Sequence, residues 1–548
     1  MTLNRVLRPN LSRATRLTRY GRTLSTFTDG ERYWKDTPWK DVPTEEFNSY
    51  RWQLRHTVVG KEKLQRFLGE ALPDTVGASK DPLLQGILRR EDFIDDAVAA
   101  FKLAPMAIRL TPHILSRVDW RNPLDDPIRK QFIPLASAII PDNENATLDS
   151  LHEEADSPVP GLVHRYPGRA LFLATSICPV YCRFCTRSYA VGEKTETVDK
   201  RPQKPSRKRW EVVFQYIESH PELQDIVVSG GDAYYLQPED LREIGERLLG
   251  MDNIQRIRFA SKGLAVAPGR IQKGDPWTET LIHLSKQGRD QGKQVCLHTH
   301  INHTREITWV TKNAANYLFK HGVIVRNQSV LLKGVNNSYK ELSNLIKTLS
   351  AINIQPYYVY QCDMVQGVED LRTPMKEIIE LDKHIRGTLS GFMMPSFVVD
   401  LPGGGGKRLV STYEPDSTDL EAGVYRYRAP GLDGEKGEML YTYFDPKPVK
   451  EAELSMLRQQ KAEALRSGQT LEQIQATFFN PSHRNSATEV PLEAISQDAG
   501  LMQNTHAAES AQESGRKHVD SHTSIGARFS NEWLNDDEVN HNQLAASH

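Results

Sequence analysis

Between about residue 160 and residue 401 the chain repeats one pattern. Short apolar runs recur: ALFLATSI, DIVVSG, IRFAS, QVCLHTH, GVIVRNQSVLL, QPYYVYQ and FMMPSFVVDL. Amphipathic stretches such as EDLREIGERLLG and YKELSNLIKTLSAI separate several of them. Strand and helix alternating at this spacing predict an α/β fold, a parallel sheet with helices packed outside it. Six or seven such units suit a complete or partial (β/α) barrel, whose functional residues belong at the C-terminal ends of the strands. Residues 156–410 are assigned to this core.

The flanks read differently. Residues 30–155 are expected to form a helical extension, with Trp34, Trp39 and Trp52 packing on a core and LQRFLGEAL and IDDAVAAFKLA carrying apolar residues three and four apart. Residues 411–447 extend the core, 448–479 look like surface helices, and 480–548, poor in large apolar residues, read as a disordered tail. Residues 1–29 hold six arginines, many Ser and Thr and no acid before Asp29, with Leu3, Val6, Leu7 and Leu11 at helical spacing. That is the composition of a mitochondrial transit peptide and implies a matrix enzyme; the alternative is a basic arm that binds polyanions. Lys plus Arg number 69 against 70 Asp plus Glu in 548 residues, so nothing in the charge balance calls for nucleic acid or an acidic membrane. No apolar run approaches the roughly 20 residues that span a bilayer.

Three of the five cysteines fall within eight residues, as Cys178-Pro-Val-Tyr-Cys182-Arg-Phe-Cys185. They follow a strand directly, and the other two, Cys296 and Cys362, read as buried free thiols. A 4Fe–4S cluster normally takes four thiolates. With three, one iron is left open to chelate an amino and a carboxylate group, which the methionine end of S-adenosylmethionine carries. Structural zinc prefers two pairs of ligands, and no second pair is visible. The C-x3-C-x2-C spacing after a strand resembles the radical S-adenosylmethionine superfamily. In that superfamily a Gly-Gly-acid segment holds the methionine amino group, and here Ser229, Gly230, Gly231 and Asp232 end the next strand. Glycines there are expected to let the backbone approach a ligand.

FVVDLPGGGGKRL is the other unusual stretch. It is not a Walker loop, because Arg408 stands where Ser or Thr is needed. A flexible loop is the plain reading; a lysine that holds the aldehyde of pyridoxal phosphate as a Schiff base is the chemical one.

Taken in order, HRYPGRALFL, CRFCTR, SGGDA, HTHINH, RNQSVLLKGVNN, YQCD and FVVDLPGGGGK resemble the lysine 2,3-aminomutase family over roughly residues 48–445. The resemblance implies a 4Fe–4S cluster on Cys178, Cys182 and Cys185, S-adenosylmethionine and pyridoxal 5′-phosphate. Lys407 would carry the pyridoxal aldehyde, and Arg165 and Arg169 its phosphate. Arg187 would clamp the substrate α-carboxylate, and Asp363 and Asp400 would hold a distant ammonium. His300 and Gln328 would lie near S-adenosylmethionine. The implied reaction begins when a 5′-deoxyadenosyl radical takes a hydrogen from the β-carbon. The nitrogen then shifts through a three-membered ring, the hydrogen returns and S-adenosylmethionine is regenerated. An amino acid substrate and an unidentified electron donor are the implied partners.

The chain also departs from the family. No cysteine follows Cys362, and Ser338 stands near a family cysteine, so the zinc site between subunits should be absent and the homo-oligomeric arrangement is put in doubt. Lys262 replaces an arginine whose contacts to a cofactor carboxylate would change. Ser188-Tyr189 replace further basic residues. Lysine is the expected substrate. Arginine or a protein-bound lysine is the first alternative, and a non-catalytic iron–sulfur or ligand-sensing protein is the alternative of another class.

Overall fold

Alternation along the strands decides which side chains reach the interior. In the computed structural model the main sheet among the described residues has nine strands in linear order. They are β1 (Leu162–Tyr166), β2 (Arg169–Thr175), β3 (Asp225–Gly230), β4 (Arg256–Ser261), β5 (Gln294–Thr299), β6 (Ile324–Leu331), β7 (Gln355–Gln361), β8 (Ser396–Leu401) and β9 (Gly406–Leu409). Neighbours from β2 to β8 pair in parallel. The edge strands β1 and β9 run antiparallel to β2 and β8. The edges meet through a side chain, where the Lys407 backbone N–H donates to Tyr166 Oη at 3.1 Å. The result is a nearly closed barrel. The seven parallel strands coincide with the seven apolar runs. The two edge strands, LVHRY and GKRL, were not expected, because their inward positions are polar.

The structure describes residues 30–200, 204–386, 388–410, 417–419, 422–428 and 435–446, together with Ser467. The transit-peptide, surface-helix and tail assignments lie outside these residues, Ser467 apart.

Successive strand residues point to opposite faces. Ile226, Val228, Ile257, Phe259, Val295 and Leu297 are buried under the outer helices, each contributing about 1.5–3 kcal/mol. Their alternates, Val227, Ser229, Arg258 and Ala260 among them, face the cavity inside the barrel. Helices α1 (Lys61–Ala71) and α2 (Arg90–Leu103) belong to the N-terminal region, and the outer layer includes α3 (Arg207–Glu218), α4 (Pro238–Leu249), α5 (Pro276–Asp290), α6 (Trp309–Lys320), α7 (Tyr339–Ala351) and α8 (Met375–Ile385). In α4, Leu241, Ile244 and Leu248 are buried at spacings of three and four, the stripe a helix packed on one face requires. Asp275 caps α5, accepting from Thr278 N at 3.0 Å. Ser338 caps α7, accepting from Glu341 N at 3.2 Å, which gives that position a structural reason of its own.

The N-terminal region is less helical than its periodicity suggests. It holds α1 (Lys61–Ala71) and α2 (Arg90–Leu103), and Trp34, Phe47 and Trp52 form a small core with Trp34 stacked on Phe47 at 4.3 Å. After α2 the path is short turns, because Pro105, Pro112, Pro123, Pro127, Pro134 and Pro141 interrupt any longer helix. This segment reaches the barrel mouth: Tyr181 N donates to Arg109 O and Arg183 N to Gln131 O, both at 3.1 Å. Beyond β9, β10 (Ser417–Asp419), β11 (Val424–Tyr427) and β12 (Tyr441–Phe444) form a small antiparallel sheet. It packs on the core through Tyr443, whose hydroxyl accepts from Gln361 Nε2 at 3.0 Å.

Candidate active site

The cysteine loop leaves the C-terminal end of β2. Cys178, Cys182 and Cys185 are half-buried free thiols. Cys178 and Cys185 border an apolar cluster of Met106, Tyr181 and Val191, while Cys182 borders Phe184, Leu332 and Cys362. Among the described residues no three His, Cys, Asp or Glu side chains converge on a point that one metal ion could occupy. A single zinc needs that convergence. A cluster does not, because each thiolate binds a different iron. Burial pushes all three thiols up, Cys182 to about 12, so loading must release their protons to a strong cation. The donor set therefore fits an iron–sulfur cluster better than a lone ion.

Gly230 and Gly231 also meet a packing requirement of their own. A Cβ on Gly230, whose φ is +113°, would lie 2.0 Å from Thr175 O. One on Gly231 would lie 2.4–2.6 Å from the Ile177 backbone. The glycines thus admit the root of the cysteine loop, which is locked by Gly231 N to Thr175 O at 2.5 Å and Asp232 N to Ile177 O at 2.9 Å. Asp232 is buried and its carboxylate accepts from Tyr234 N and Lys262 N, both at 2.8 Å. Gly231→Ala is expected to displace the loop. Iron bound per polypeptide should fall several-fold while the far-ultraviolet circular dichroism is unchanged; full iron loading would contradict this.

The glycine run is a tight turn between β8 and β9. Gly403, Gly404 and Gly406 have φ of +75°, +89° and +72°. A Cβ on Gly405 or Gly406 would strike Tyr441 or Tyr166. The turn sets Lys407 directly across from Asp400 in the antiparallel ladder. Cross-strand partners share a face, and Lys407 Nζ donates to Asp400 Oδ2 at 2.7 Å. Asp400 is 5% exposed and its Oδ1 has no hydrogen-bond partner among the described residues. Burial and the Asp400 charge push Asp363 up to about 8.

All of the singled-out side chains, together with Gly231 but not Gly230, line one cavity of about 360 Å³ inside the barrel mouth, within the range typical of small-molecule sites. Arg165 lies on β1 and Arg169 on β2. Arg169 stacks on the Tyr166 ring at 3.8 Å and has no ion pair among the described residues. Arg165 is half engaged: Nε donates to Asp156 Oδ2 at 2.6 Å and a terminal nitrogen to Leu151 O. Asp156 is shared with Lys436. One free and one partly committed guanidinium beside a lysine fit the phosphate and aldehyde of pyridoxal phosphate.

Arg187 is not free. Its Nε and one terminal nitrogen each donate at 2.8 Å to the two carboxylate oxygens of Glu153, and Tyr189 Oη donates to the same carboxylate at 3.1 Å. Glu153 comes from the Pro-rich N-terminal segment and went unnoticed in the sequence, where it stands in an acidic run. It holds the guanidinium in one orientation at the cavity wall. Glu153→Ala leaves that charge uncompensated and is expected to cost about 3 kcal/mol of stability, read as a lower urea midpoint at unchanged slope. A loss below about 0.5 kcal/mol would contradict the pairing.

Lys262 is likewise committed. Nζ donates to His300 O at 2.7 Å and to the fully buried Glu306 at 2.9 Å. His300 is held well below the usual imidazole range by burial and by Lys262, and its Nε2 donates to Asn302 Oδ1 at 3.1 Å. Gln328 Oε1 accepts from Tyr360 Oη at 2.9 Å. Tyr166, Tyr360 and His298 also line the cavity, and His298 Nε2 is buried without a partner among the described residues. Tyr358 and Tyr360 stand two apart on β7 and both line the cavity, so period-two counting along QPYYVYQ was the signal that could have found them.

A barrel whose mouth carries three cluster-ready cysteines beside the Gly-Gly-Asp turn fits the radical S-adenosylmethionine class of enzyme, with an iron–sulfur cluster and S-adenosylmethionine. No family model matches the chain. The chain is similar to the L-lysine 2,3-aminomutase of Acetoanaerobium sticklandii, 36% identical over 376 residues that cover 68% of this chain and 80% of that protein. It is 37% identical to the enzyme of the same name from Clostridium subterminale over 369 residues, covering 67% and 79%. The glutamate 2,3-aminomutase of Clostridioides difficile is 28% identical over 363 residues, covering 66% and 76%. The chain belongs to the lysine 2,3-aminomutase family and is an isomerase.

Proposed function

We propose that this enzyme moves the α-amino group of a basic amino acid, L-lysine foremost, to the β-carbon, using pyridoxal phosphate as well as the cluster and S-adenosylmethionine. The observation that carries the reading is the pair of carboxylates, Asp363 and Asp400, in one cavity with Lys407. At present one ammonium, that of Lys407, pairs with Asp400. That single ammonium faces two carboxylates in one buried cavity. A substrate ammonium restores the balance, whereas the side-chain carboxylate of glutamate would add a third negative charge.

The cluster and S-adenosylmethionine, when bound, supply a 5′-deoxyadenosyl radical, and pyridoxal phosphate supplies a conjugated carbonyl that holds the migrating nitrogen. The chain's own residues bind and orient. Arg187, oriented by Glu153, presents its remaining edge to the α-carboxylate. Arg169 and Arg165 meet the phosphate. Asp363 and Asp400 fix the far end of the side chain, so the β-carbon is presented to the radical at a constant place. An external one-electron donor is required.

The test is anaerobic incubation of reduced, reconstituted enzyme with pyridoxal phosphate, S-adenosylmethionine and, separately, L-lysine, L-arginine, L-glutamate and a lysine-containing peptide. β-Lysine is expected as the main product. A β-amino acid from arginine or peptidyl lysine alone would move the substrate within the basic class. Absence of any β-amino acid would overturn the mutase reading.

Import into the mitochondrial matrix is proposed for residues 1–29 on their Arg-rich, acid-free composition, although the relatives named above are bacterial. A fluorescent protein carrying these residues should enter mitochondria of cultured cells, and a cytosolic signal would contradict the proposal.

A further inference from the structure

Lys200 lies in the loop that follows the cysteines. It is 2% exposed, and among the described residues no carboxylate pairs with it. Its ammonium donates to Val191 O at 2.7 Å and rests 3.6 Å from Met106 Sδ. Val191 and Met106 are the residues that, with Tyr181, pack directly against Cys178 and Cys185. A buried ammonium without a counter-charge is costly, commonly by several kcal/mol. Proteins keep one only when something offsets it. Burial lowers the ammonium to about 8, against charged neighbours that favour it, in order Cys185, Cys178 and Glu193.

We propose that Lys200 is the charge-compensating residue of the iron–sulfur site: one side-chain layer behind Cys178 and Cys185, its ammonium offsets the negative charge of the thiolate-bound cluster and raises its reduction potential. The proposal rests on the assignment of the three cysteines to a cluster. A 4Fe–4S cluster on three thiolates is an anion, and reduction adds a further negative charge. A fixed cation nearby therefore stabilises the reduced form more than the oxidised one. Net charge and burial around the sulfurs are among the factors that set cluster potentials. Lys200 thus touches neither substrate nor cluster and acts on the cluster through the field.

Lys200→Gln keeps a donor for Val191 O and removes the charge; Lys200→Arg keeps the charge. The measurement is an anaerobic redox titration of the reconstituted cluster followed by electron paramagnetic resonance. Iron and sulfide content of the wild type checks the cluster assignment separately. K200Q is expected to load cluster and to titrate at a lower potential than wild type, with K200R close to wild type. An unchanged K200Q potential, or an equal drop in both variants, would overturn the proposal. If K200Q does not load cluster, thermal unfolding of the cluster-free proteins decides. The proposal expects cluster-free K200Q to be at least as stable as cluster-free wild type, since an unbalanced buried charge has gone. A marked loss of stability would show that Lys200 merely holds its loop, and would overturn it.

Discussion

Cys182→Ala is expected to remove the brown chromophore and to lower S-adenosylmethionine cleavage by ~10⁴-fold or more, since the uncatalysed route lies many kcal/mol higher. Cys182 enters the mouth between the Phe184–Leu332–Cys362 cluster and the cavity. Alanine leaves two thiolates, too few to hold four irons. Cys362 is the informative control. It is 2% exposed, lies in the same apolar cluster as Cys182, and does not line the cavity. Burial pushes its thiol up, out of reach of ordinary ionisation. Cys362→Ala should keep the chromophore and lose only about 1 kcal/mol of stability, as small-to-smaller core changes do. Iron and acid-labile sulfide content, with cleavage measured as 5′-deoxyadenosine, check both variants. Persistent cleavage in C182A would make the cluster assignment wrong.

Asp400→Asn is expected to lower kcat/KM for lysine by roughly 10²–10³-fold, the consequence of removing one partner from a buried charge pair. It removes the counter-ion of Lys407 and half of the dicarboxylate end of the cavity. The pH dependence should change with it. Asp363 is pushed up to about 8 by burial first and Asp400 second. In the wild type, then, Asp363 gains a proton as pH falls through about 8, the cavity end loses a negative charge, and the KM for lysine rises. In D400N the like charge is gone and Asp363 titrates lower, so the rise in KM moves to lower pH. Steady-state kinetics from pH 6.5 to 9.5 in both proteins test this. An unshifted profile would mean that the two aspartates do not share one site.

Much of this was legible because parallel strands are buried on both faces. ALFLATSI, DIVVSG and FMMPSFVVDL are apolar for that reason, and they announced β2, β3 and β8 directly. The chemistry at their ends was legible because Cys178, Asp232 and Asp400 stand immediately after or at the end of such runs. What stayed hidden depends on contacts distant in sequence. Leu162–Tyr166 and Gly406–Leu409 are half-polar because Arg165 and Lys407 point into the cavity, so no apolar run marks them. Glu153 gains meaning only when the chain returns to place Arg187 against it. Gly405 and Gly406 are required by Tyr441 and Tyr166, one about 35 residues downstream and the other more than 200 residues upstream.

The central claim, a radical formed on the β-carbon of a basic amino acid held between Arg187 and the aspartate pair, is tested most directly with L-lysine deuterated at carbon 3. Reduced enzyme is incubated with it, pyridoxal phosphate and unlabelled S-adenosylmethionine, and both product and cofactor are examined by mass spectrometry. The account predicts β-lysine in which deuterium has migrated, together with deuterium in the 5′-methylene of recovered S-adenosylmethionine. β-Lysine formed with no deuterium in the adenosyl group, or labelled 5′-deoxyadenosine accumulating with no β-lysine, would contradict it.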